Sequence, residues 1–346
     1  MTTSPTPSPT LTPTPDDSLE MAQLLLGFAT SQALYTVARL GVAELLLDGP
    51  RSIEDLAEAT GADADALGRV IRTLTPLGIF YTESDRKIAI TRLGATLAPN
   101  VPGSAHASSR FFMETHYQPF GELLHTVQTG EPAAEKQLGM KFENWIPQHP
   151  ARVALQTAAM ASVSEGWRGP FLETYELPPG DVVADLGGAD GSMLARLLQK
   201  APDRRGIVFD LPEVIVTATR TLADYGVDDR VIPRGGSFFA RVPTADVYIM
   251  SMVLHDWDDE SCTRILANIA QAGADGARLV IIEHIMPDGD EPNMSKLADL
   301  IMLCMTGGKE RTTTEYADLL GSAGFSIDAV RETGTPFSAI EATLRK

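Results

Sequence analysis

The chain has 346 residues, of which 44% are hydrophobic and 21% are charged, and it carries a formal net charge of −18. This length exceeds the usual size of one hydrophobic core, so two domains are expected, while the negative charge disfavours nucleic acid and anionic membranes as partners. The 2 cysteines lack a metal-ligand spacing, so neither a disulfide framework nor a cysteine metal site is expected. No apolar run is long enough to span a membrane and no secretory signal is visible, so we expect a cytoplasmic protein. The negative charge leaves a small molecule as the favoured partner.

The N-terminal part of the chain divides into a tail and a helical domain. Residues 1–16 are mainly Ser, Thr and Pro, and because they cannot bury enough apolar surface to offset the entropy lost on ordering, we expect a disordered tail. Residues 17–100 begin with the apolar periodicity of short helices. Ser52 is a predicted N-cap of one helix, and Asp63 or Asp65 is the predicted N-cap of the next.

A hairpin after these helices gives the region the outline of a winged helix. Residues 78–81 and 87–90 alternate like paired strands. A winged helix suggests DNA binding, but the helix that would enter the groove offers only Arg69 and Arg72 as cations, and acidic residues precede it. Because DNA binding requires several cations on one face, a mainly α-helical, winged-helix-like dimerisation domain explains the apolar excess better.

Residues 101–175 are predicted to be a helical linker that also contributes to a substrate pocket. Large side chains concentrate in this region, and they are Phe111, Phe112, Met113, His116, Tyr117, Phe120, Phe142, Trp145, Met160 and Trp167. Each of them is compatible with an ordinary helix core. The functional interpretation is a pocket wall for a flat apolar ligand, and both interpretations stay open.

Residues 176–346 alternate between apolar strand patterns and helical patterns. Helical stretches separate the apolar runs, and this alternation predicts a doubly wound α/β fold with a parallel sheet. The apolar runs and two later strand candidates lie at residues 182–184, 206–209, 245–249, 279–282, 326–330 and 338–344.

A glycine turn follows the first of these strands. The segment DLGGADG, residues 185–191, opens a helix, and its G-G-x-x-G spacing fails the G-x-G-x-x-G pattern of dinucleotide-binding proteins. The carboxylate of Asp185 suits a cationic ligand better than a pyrophosphate, and S-adenosylmethionine (SAM) carries a sulfonium and an amino group. Asp210 ends the second strand, where an acidic side chain can accept hydrogen bonds from both ribose hydroxyls. This order of elements predicts SAM as the cofactor.

Candidate catalytic residues follow two later strands. His255 comes after the strand that ends at about Ser251, and Glu283 ends the next strand. Ligands bind at the carboxyl ends of parallel strands, so both side chains are expected beside the cofactor. A helix then leads to the segment GGKERT, which contains Glu310.

These motifs closely resemble those of the plant- and bacterial-type SAM-dependent O-methyltransferases that act on small molecules. The matching segments are VADLGGADG, VFDLP, GGSFF, LHDWDD, EHIMP and GGKERT, and the resemblance spans residues 18–346. It implies an α/β fold, in which a Rossmann-like SAM-binding domain with a mixed seven-stranded sheet follows the N-terminal dimerisation domain. It also implies a homodimer formed through the N-terminal domain.

The resemblance further implies roles for individual residues. His255 would be the general base for a phenolic hydroxyl, and Glu283 and Glu310 would hold and polarise its ring. The expected SAM contacts are Asp185, Gly187, Gly188, Asp210, Leu211, Gly236, Ser237, Phe238, Ser251, Trp257 and Ser164. The expected substrate contacts are His116, Phe142, Met160, Asp256, Met302 and Met305. No metal is expected, because His255 and Asp256 have no third ligand at a recognisable spacing.

Two positions depart from common residues of the family. Ser237 stands where the family often has an aspartate that binds the adenine amino group, and a hydroxyl accepts that hydrogen bond more weakly. Ser251 stands where many members have a lysine near the cofactor carboxylate. We therefore expect SAM to bind less tightly or with shifted contacts.

The leading hypothesis is O-methylation of a small aromatic molecule in secondary-metabolite biosynthesis. C- or N-methylation on the same scaffold is an alternative, since the motifs do not separate the acceptor atoms. A non-catalytic winged-helix or SAM-fold regulator is an alternative of another class. The joint presence of His255, Glu283 and Glu310 argues against a non-catalytic SAM fold, and the net charge argues against a DNA-binding regulator.

Overall fold

The computed structural model describes residues 13–163 and 168–346, and the chain divides between Met113 and Glu114 into two units. The helices of the first unit are α1 (Pro15–Leu25), α2 (Gly27–Arg39), α3 (Val42–Leu47), α4 (Ile53–Thr60), α5 (Ala64–Leu74), α6 (Arg92–Ala95) and α7 (His106–Phe111). Its strands, β1 (Phe80–Thr82) and β2 (Ile88–Ile90), pair antiparallel. Within the described residues, no helix combines the length and the apolar character that crossing a membrane requires.

Side-chain caps fix where two helices of the first unit begin. Ser52 accepts a hydrogen bond from the Asp55 N–H at the start of α4, which confirms the predicted N-cap. Asp63, and not Asp65, caps α5 by accepting a hydrogen bond from the Ala66 N–H. Each cap satisfies a backbone donor that the helix itself leaves without a partner.

Helix α1 corrects part of the expected disordered tail. It begins at Pro15, inside the segment 1–16, because Thr14 and Asp17 form a reciprocal capping box. Proline suits this first helical position because it has no N–H to leave unpaired. Residues 1–12 lie outside the described part of the chain.

The second unit is built around a mixed seven-stranded sheet. The strands of this unit are β3 (Val182–Leu186), β4 (Arg205–Asp210), β5 (Val231–Gly235), β6 (Val247–Ser251), β7 (Arg278–Glu283), β8 (Ile285–Met286), β9 (Arg311–Thr312), β10 (Phe325–Glu332) and β11 (Ser338–Leu344). The order across the sheet is β10-β11-β7-β6-β3-β4-β5. Strands β3 to β7 run parallel, and β11 and β10 add an antiparallel edge. Strands β8 and β9 form a separate short parallel pair.

The helices of the second unit precede the sheet in the chain or alternate with its strands. The α-helices are α8 (Tyr117–Phe120), α9 (Leu123–Thr129), α10 (Ala133–Leu138), α11 (Phe142–Trp145), α12 (Pro150–Val163), α13 (Gly169–Thr174), α14 (Ser192–Gln199), α15 (Ala218–Asp224), α16 (Asp259–Ala272), α17 (Met294–Met305) and α18 (Thr313–Ser322). The shorter turns are a π-helical one at Phe112–His116 and 3-10 turns at Ile146–Gln148, Ile215–Thr217 and Leu254–Asp256.

Both faces of the sheet are buried, which explains the continuous apolar runs in the sequence. On β7, Leu279 and Ile281 join one hydrophobic core, while Val280 and Ile282 join the core on the opposite face. The predicted fold class, α/β with a mixed seven-stranded sheet and a helical N-terminal domain, is confirmed.

The strand order places a topological switch point at the carboxyl end of β3. The chain leaves β3 for β4 on one side and later returns to β6 on the other side, so the connections diverge at this edge. A crevice at such a switch point is where open α/β sheets bind their ligands. The glycine turn that follows β3 and the turn that follows β6 therefore lie at the same edge.

The small hairpin of the first unit generates a prediction about stability. A Cβ added at Gly94 in α6 would lie 2.1 Å from the Ile79 carbonyl oxygen and 2.9 Å from Cγ1 of Ile90. We expect Gly94→Ala to lower the free energy of unfolding by about 1–3 kcal/mol, because the backbone must shift. Gly68→Ala in α5 is the matched control, since its Cβ would make only ordinary contact, 3.5 Å from Ile53. Equal midpoints of thermal unfolding for the two variants would contradict the prediction.

Candidate active site

His255 lies in a short turn just beyond the carboxyl end of β6. The strand ends at Ser251, and Leu254–Asp256 form a single 3-10 turn in which the His255 ring is buried. Nδ1 of His255 donates a hydrogen bond to Oε1 of Glu310 over 2.8 Å, and Nε2 lies 3.8 Å from Oδ1 of Asp256. The structure thus brings together two candidate residues from separate motifs.

The Glu310 carboxylate determines which nitrogen of His255 can accept a proton. An ionised carboxylate only accepts hydrogen bonds, so Nδ1 carries the hydrogen and the lone pair of the neutral ring lies on Nε2. Nε2 is turned toward Asp256, whose side chain is 42% exposed. The ring can therefore take up a proton at Nε2 while Glu310 stabilises the resulting imidazolium.

Opposing effects act on the pKa of His255. Burial disfavours the imidazolium and lowers the pKa, but the charge of Asp256, the hydrogen bond to Glu310 and the charges of Glu283 and Glu310 outweigh it. Together they raise the pKa of His255 from 6.5 to about 10. Oε2 of Glu310 accepts no hydrogen bond from any residue that the structure describes. The negative charge of Glu310 is therefore poorly screened, and neutral His255 is a strong base.

Glu283 holds the backbone of the turn and not the imidazole ring. Its Oε1 accepts hydrogen bonds from the N–H groups of Val253, at 3.0 Å, and Leu254, at 2.7 Å. Its Oε2 accepts a hydrogen bond from the hydroxyl of Tyr316 on α18. This corrects the expectation that Glu283 holds the ring directly, because its hydrogen bonds go to the backbone and to Tyr316, while its charge still raises the pKa of His255. Glu283 acts on His255 through the backbone and through its charge.

Arg311 holds the same turn from its carbonyl side, and the sequence analysis missed this role. The guanidinium donates to the carbonyl oxygen of Leu254 at 3.1 Å and to that of Trp257 at 2.8 Å. It also donates two hydrogen bonds to Oδ1 of Asp259, at 3.0 and 2.8 Å. The sequence signal for this role is the position of Arg311 directly after Glu310 in the segment GGKERT. The structure adds that the side chain is buried, where an arginine requires several acceptors.

The turn after β3 requires glycine for close packing. Gly187 has a φ of +78°, and a Cβ there would lie 2.6 Å from Cγ2 of Val253. A Cβ at Gly188 would lie 2.9 Å from the carboxyl carbon of Asp185. The glycine turn and the residues just before His255 are therefore in van der Waals contact.

Asp210 joins the end of β4 to the glycine turn. Its Oδ2 accepts a hydrogen bond from the Ala189 N–H at 2.9 Å, and its Oδ1 accepts one from the Leu211 N–H at 2.7 Å. Ala189 has a φ of +48°, an uncommon conformation for alanine, and the first of these hydrogen bonds helps to hold it. A carboxylate has about four lone-pair sites, so Asp210 retains capacity for ribose hydroxyls.

The surroundings of Asp185 show which kind of ligand this end of β3 can accept. It is buried, and neither of its oxygens accepts a hydrogen bond from a described residue. Burial raises the pKa of Asp185 to about 7, although the charge of Arg168 acts in the opposite direction. A buried polar group without a partner is costly, so this carboxylate favours a ligand that brings donors or positive charge. The amino group and sulfonium of SAM fit that requirement.

The loop after β5 contains further expected cofactor contacts. A Cβ at Gly236 would lie 2.6 Å from the nearest ring carbon of Phe209, so only glycine fits. The Phe238 and Trp257 rings pack edge to face, with centroids 6.2 Å apart. Oγ of Ser237 accepts a hydrogen bond from the backbone N–H two residues on, at 3.3 Å. Aromatic rings in this arrangement can pack against a flat heterocycle.

Ser251 has a partner that the sequence analysis did not anticipate. Its Oγ accepts a hydrogen bond from Nη1 of Arg168, a buried residue just before α13. No local motif marks this arginine, and 83 residues separate it from Ser251. Ser164, another expected cofactor contact, lies outside the described residues.

Two expected substrate contacts form a buried aromatic pair. The rings of His116 and Phe142 lie edge to face with centroids 5.7 Å apart. Burial lowers the pKa of His116 to about 4, so this ring is neutral at physiological pH. A neutral ring beside a phenylalanine suits a mostly apolar ligand.

The remaining expected substrate contacts lie on helices. Met302 follows Asp299 by one helical turn on α17, and Oδ1 of Asp299 accepts a hydrogen bond from the Glu310 N–H at 2.9 Å. This places the Met302 face of α17 next to the segment that holds His255. Met305 is buried at the end of the same helix, and Met160 is half-buried on α12. The roles of these methionines stay predictions.

Comparison with known proteins follows the same division of the chain. Residues 120–326 match the O-methyltransferase domain, and residues 22–100 match the O-methyltransferase dimerisation domain. The chain is 37% identical to the phenazine O-methyltransferase PhzM of Lysobacter antibioticus, over 93% of this chain and 95% of that protein. It is 35% identical to the mitomycin biosynthesis 6-O-methyltransferase of Streptomyces lavendulae, over 88% of each chain.

A solved structure with bound ligands also resembles the chain. The O-methyltransferase NcsB1 from neocarzinostatin biosynthesis, in complex with SAM and 2-hydroxy-5-methyl naphthoic acid, matches with a TM-score of 0.79 and 31% identity. The match covers 91% of this chain and 96% of that one.

The hydrogen bonds of Arg311 generate a prediction about the turn. We expect Arg311→Lys to lower the free energy of unfolding by about 2–4 kcal/mol and to slow turnover, because an ammonium cannot reach Asp259 and the carbonyls of Leu254 and Trp257 together. Lys309→Met is the matched control, since Lys309 pairs with the same Asp259 but is 38% exposed. Such an exposed pair contributes less than about 1 kcal/mol. Urea unfolding measures both variants, and equal losses would refute the prediction.

Proposed function

The chain belongs to the family of SAM-dependent O-methyltransferases, and we propose that it methylates a hydroxyl group on a small aromatic molecule with His255 as the general base. The observation that carries this proposal is the buried His255–Glu310 pair next to the glycine turn. The relatives named for phenazine and for mitomycin biosynthesis support an acceptor from secondary metabolism.

In the proposed reaction, Nε2 of His255 takes the hydroxyl proton of the acceptor. SAM, when bound, supplies an activated methyl group, which passes to the acceptor oxygen while S-adenosylhomocysteine (SAH) leaves. Glu310 keeps Nδ1 protonated and stabilises the imidazolium that results. Glu283 and Arg311 keep the ring in place by holding the backbone on both sides of it.

The strength of the base matches the acidity of a phenol. A phenolic hydroxyl has a pKa near about 10. The carboxylates around His255 raise its pKa from 6.5 to about 10, which makes the ring a better acceptor for a phenolic proton than an ordinary histidine. The base must be neutral at the start, and therefore we expect activity to rise with pH in the alkaline range.

The cofactor contacts are proposed from the groups that remain available at the sheet edge. Asp185 would face the amino group, because it is buried and lacks a donor. Asp210 would accept hydrogen bonds from the ribose hydroxyls. The loop with Ser237 and Phe238, together with Trp257, would pack against the adenine ring.

A homodimer formed through the N-terminal unit is part of the proposal. Residues 22–100 match a dimerisation domain, and Leu24, Leu25 and Phe28 are exposed within the unit, at 68%, 70% and 59%. Large exposed apolar side chains close together in the chain are typical of an association surface.

The test of the proposed function is methyl transfer by the His255→Ala variant. Purified protein is incubated with methyl-labelled SAM and a panel of phenols, catechols and hydroxy-aromatic acids, and the methylated atom is identified by NMR. We expect O-methylation by the wild type and a loss of about 10²- to 10⁴-fold in the variant, with SAH binding retained. If the variant remains fully active, or if the product is methylated on carbon or nitrogen, the proposal fails.

The contact between Glu310 and His255 predicts how activity depends on pH. The Glu310 carboxylate stabilises the imidazolium and raises the pKa of His255, so Glu310→Gln should lower that pKa. We therefore expect the rise of kcat/KM with pH to move to lower pH by about one unit or more, with a lower plateau because the base is weaker. Asp318→Asn, an exposed change on α18, is the control and should leave the profile in place. An unchanged profile for Glu310→Gln would overturn the assigned coupling.

A further inference from the structure

Arg168 brings a buried positive charge to the edge of the sheet where the cofactor is expected. Its Nη1 donates a hydrogen bond to Oγ of Ser251, the last residue of β6. Nη1 also lies 4.0 Å from Sδ of Met193 in the first turn of α14, and the guanidinium carbon lies 6.0 Å from the centre of the Phe337 ring. Arg168 therefore lies where the end of β6 meets the start of the helix after the glycine turn.

Asp185 brings a buried carboxyl group to the same place. It belongs to β3, next to β6 in the sheet, and neither of its oxygens accepts a hydrogen bond from a described residue. The charge of Arg168 lowers the pKa of Asp185 without a direct hydrogen bond between them. The two side chains thus lie within electrostatic range of each other without a hydrogen bond between them.

We propose that Arg168 binds the carboxylate at the methionyl end of SAM, while Asp185 faces the ammonium group of that end. This inference rests on the use of SAM described under the proposed function. The methionyl end is a zwitterion. Its carboxylate is opposite in charge to Arg168, and its ammonium group is opposite in charge to ionised Asp185. A guanidinium can bind a carboxylate through two parallel hydrogen bonds, and the ionised form of Asp185, which an ammonium group beside it favours, only accepts hydrogen bonds.

The residue at position 251 supports this role for Arg168. The resemblance of the motifs implies a lysine near the cofactor carboxylate at the position that Ser251 occupies in this chain. The serine has no charge, but its hydroxyl accepts the hydrogen bond of Arg168, so a cation from another element reaches the same position. The expected weakness of SAM binding caused by Ser251 is then offset by an arginine 83 residues earlier in the chain.

Arg168 could instead only stabilise the edge of the sheet. The affinities for two ligands distinguish this structural role from binding of the SAM carboxylate. SAH contains the amino-acid end, whereas 5′-methylthioadenosine keeps the adenosine and the sulfur but lacks that end. A contact with the carboxylate affects SAH only. A general disturbance of the sheet edge affects both ligands alike.

The experiment measures binding of both ligands to the full-length protein by isothermal titration calorimetry. The variants are Arg168→Met, the double variant Arg168→Met/Ser251→Lys, and the control Arg204→Met, which removes an arginine bound to backbone carbonyls before β3. For Arg168→Met we expect SAH affinity to fall by about 10- to 100-fold, the range for a charge-assisted hydrogen bond, and 5′-methylthioadenosine affinity to change by less than about 3-fold. Adding Ser251→Lys should restore at least about half of the lost SAH affinity on a logarithmic scale.

Each outcome bears on a different statement. Equal losses for SAH and 5′-methylthioadenosine, or an undiminished SAH affinity in Arg168→Met, would overturn the role of Arg168 and leave the methyltransferase proposal intact. If Ser251→Lys does not restore SAH binding, the statement that Arg168 replaces a cation at position 251 is overturned. If the wild type binds neither ligand, the use of SAM itself is refuted, and with it the premise of this inference.

Discussion

The turn that carries His255 is held at both ends by buried groups of opposite charge. Glu283 accepts the N–H groups at its start, and Arg311 donates to the carbonyl groups at Leu254 and Trp257. Each charge is costly to bury, but the hydrogen bonds to backbone dipoles and to Tyr316 and Asp259 offset that cost. The position of the imidazole therefore depends on side chains that need not touch the substrate.

The same turn ties the base to the expected cofactor site. Val253 lies so close to Gly187 that a single methyl group at the glycine would collide with it, and the backbone N–H of Val253 is also held by Glu283. A displacement of the glycine turn would therefore be transmitted to the residues that precede His255. Methyl transfer requires the acceptor oxygen to be aligned with the methyl group. The contact between the two turns would help to keep the proposed base and the cofactor in that alignment.

The sequence predicts most of the sheet because its strands are buried on both faces and read as apolar runs. Strand β5 is the exception, since it lies at the edge, contains Pro233 and Arg234, and has no apolar run of its own. Motif position placed Glu283 at the correct strand end, but it could not show that backbone N–H groups and Tyr316 would engage its oxygens. Arg168 was missed for a related reason, because its partner Ser251 is distant in sequence and only the packed fold brings them together.

Two buried histidines in the second unit show why neighbours, and not burial, determine the proton affinity of the proposed base. Burial lowers the pKa of His116 to about 4. The same effect acts on His255, but Asp256, Glu283 and Glu310 reverse it and raise the pKa to about 10. One ring is thus kept neutral, and the other is made strongly basic. Without the carboxylates, burial would lower the pKa of His255, so the proposed catalytic role depends on the acidic residues around the histidine as much as on the histidine itself.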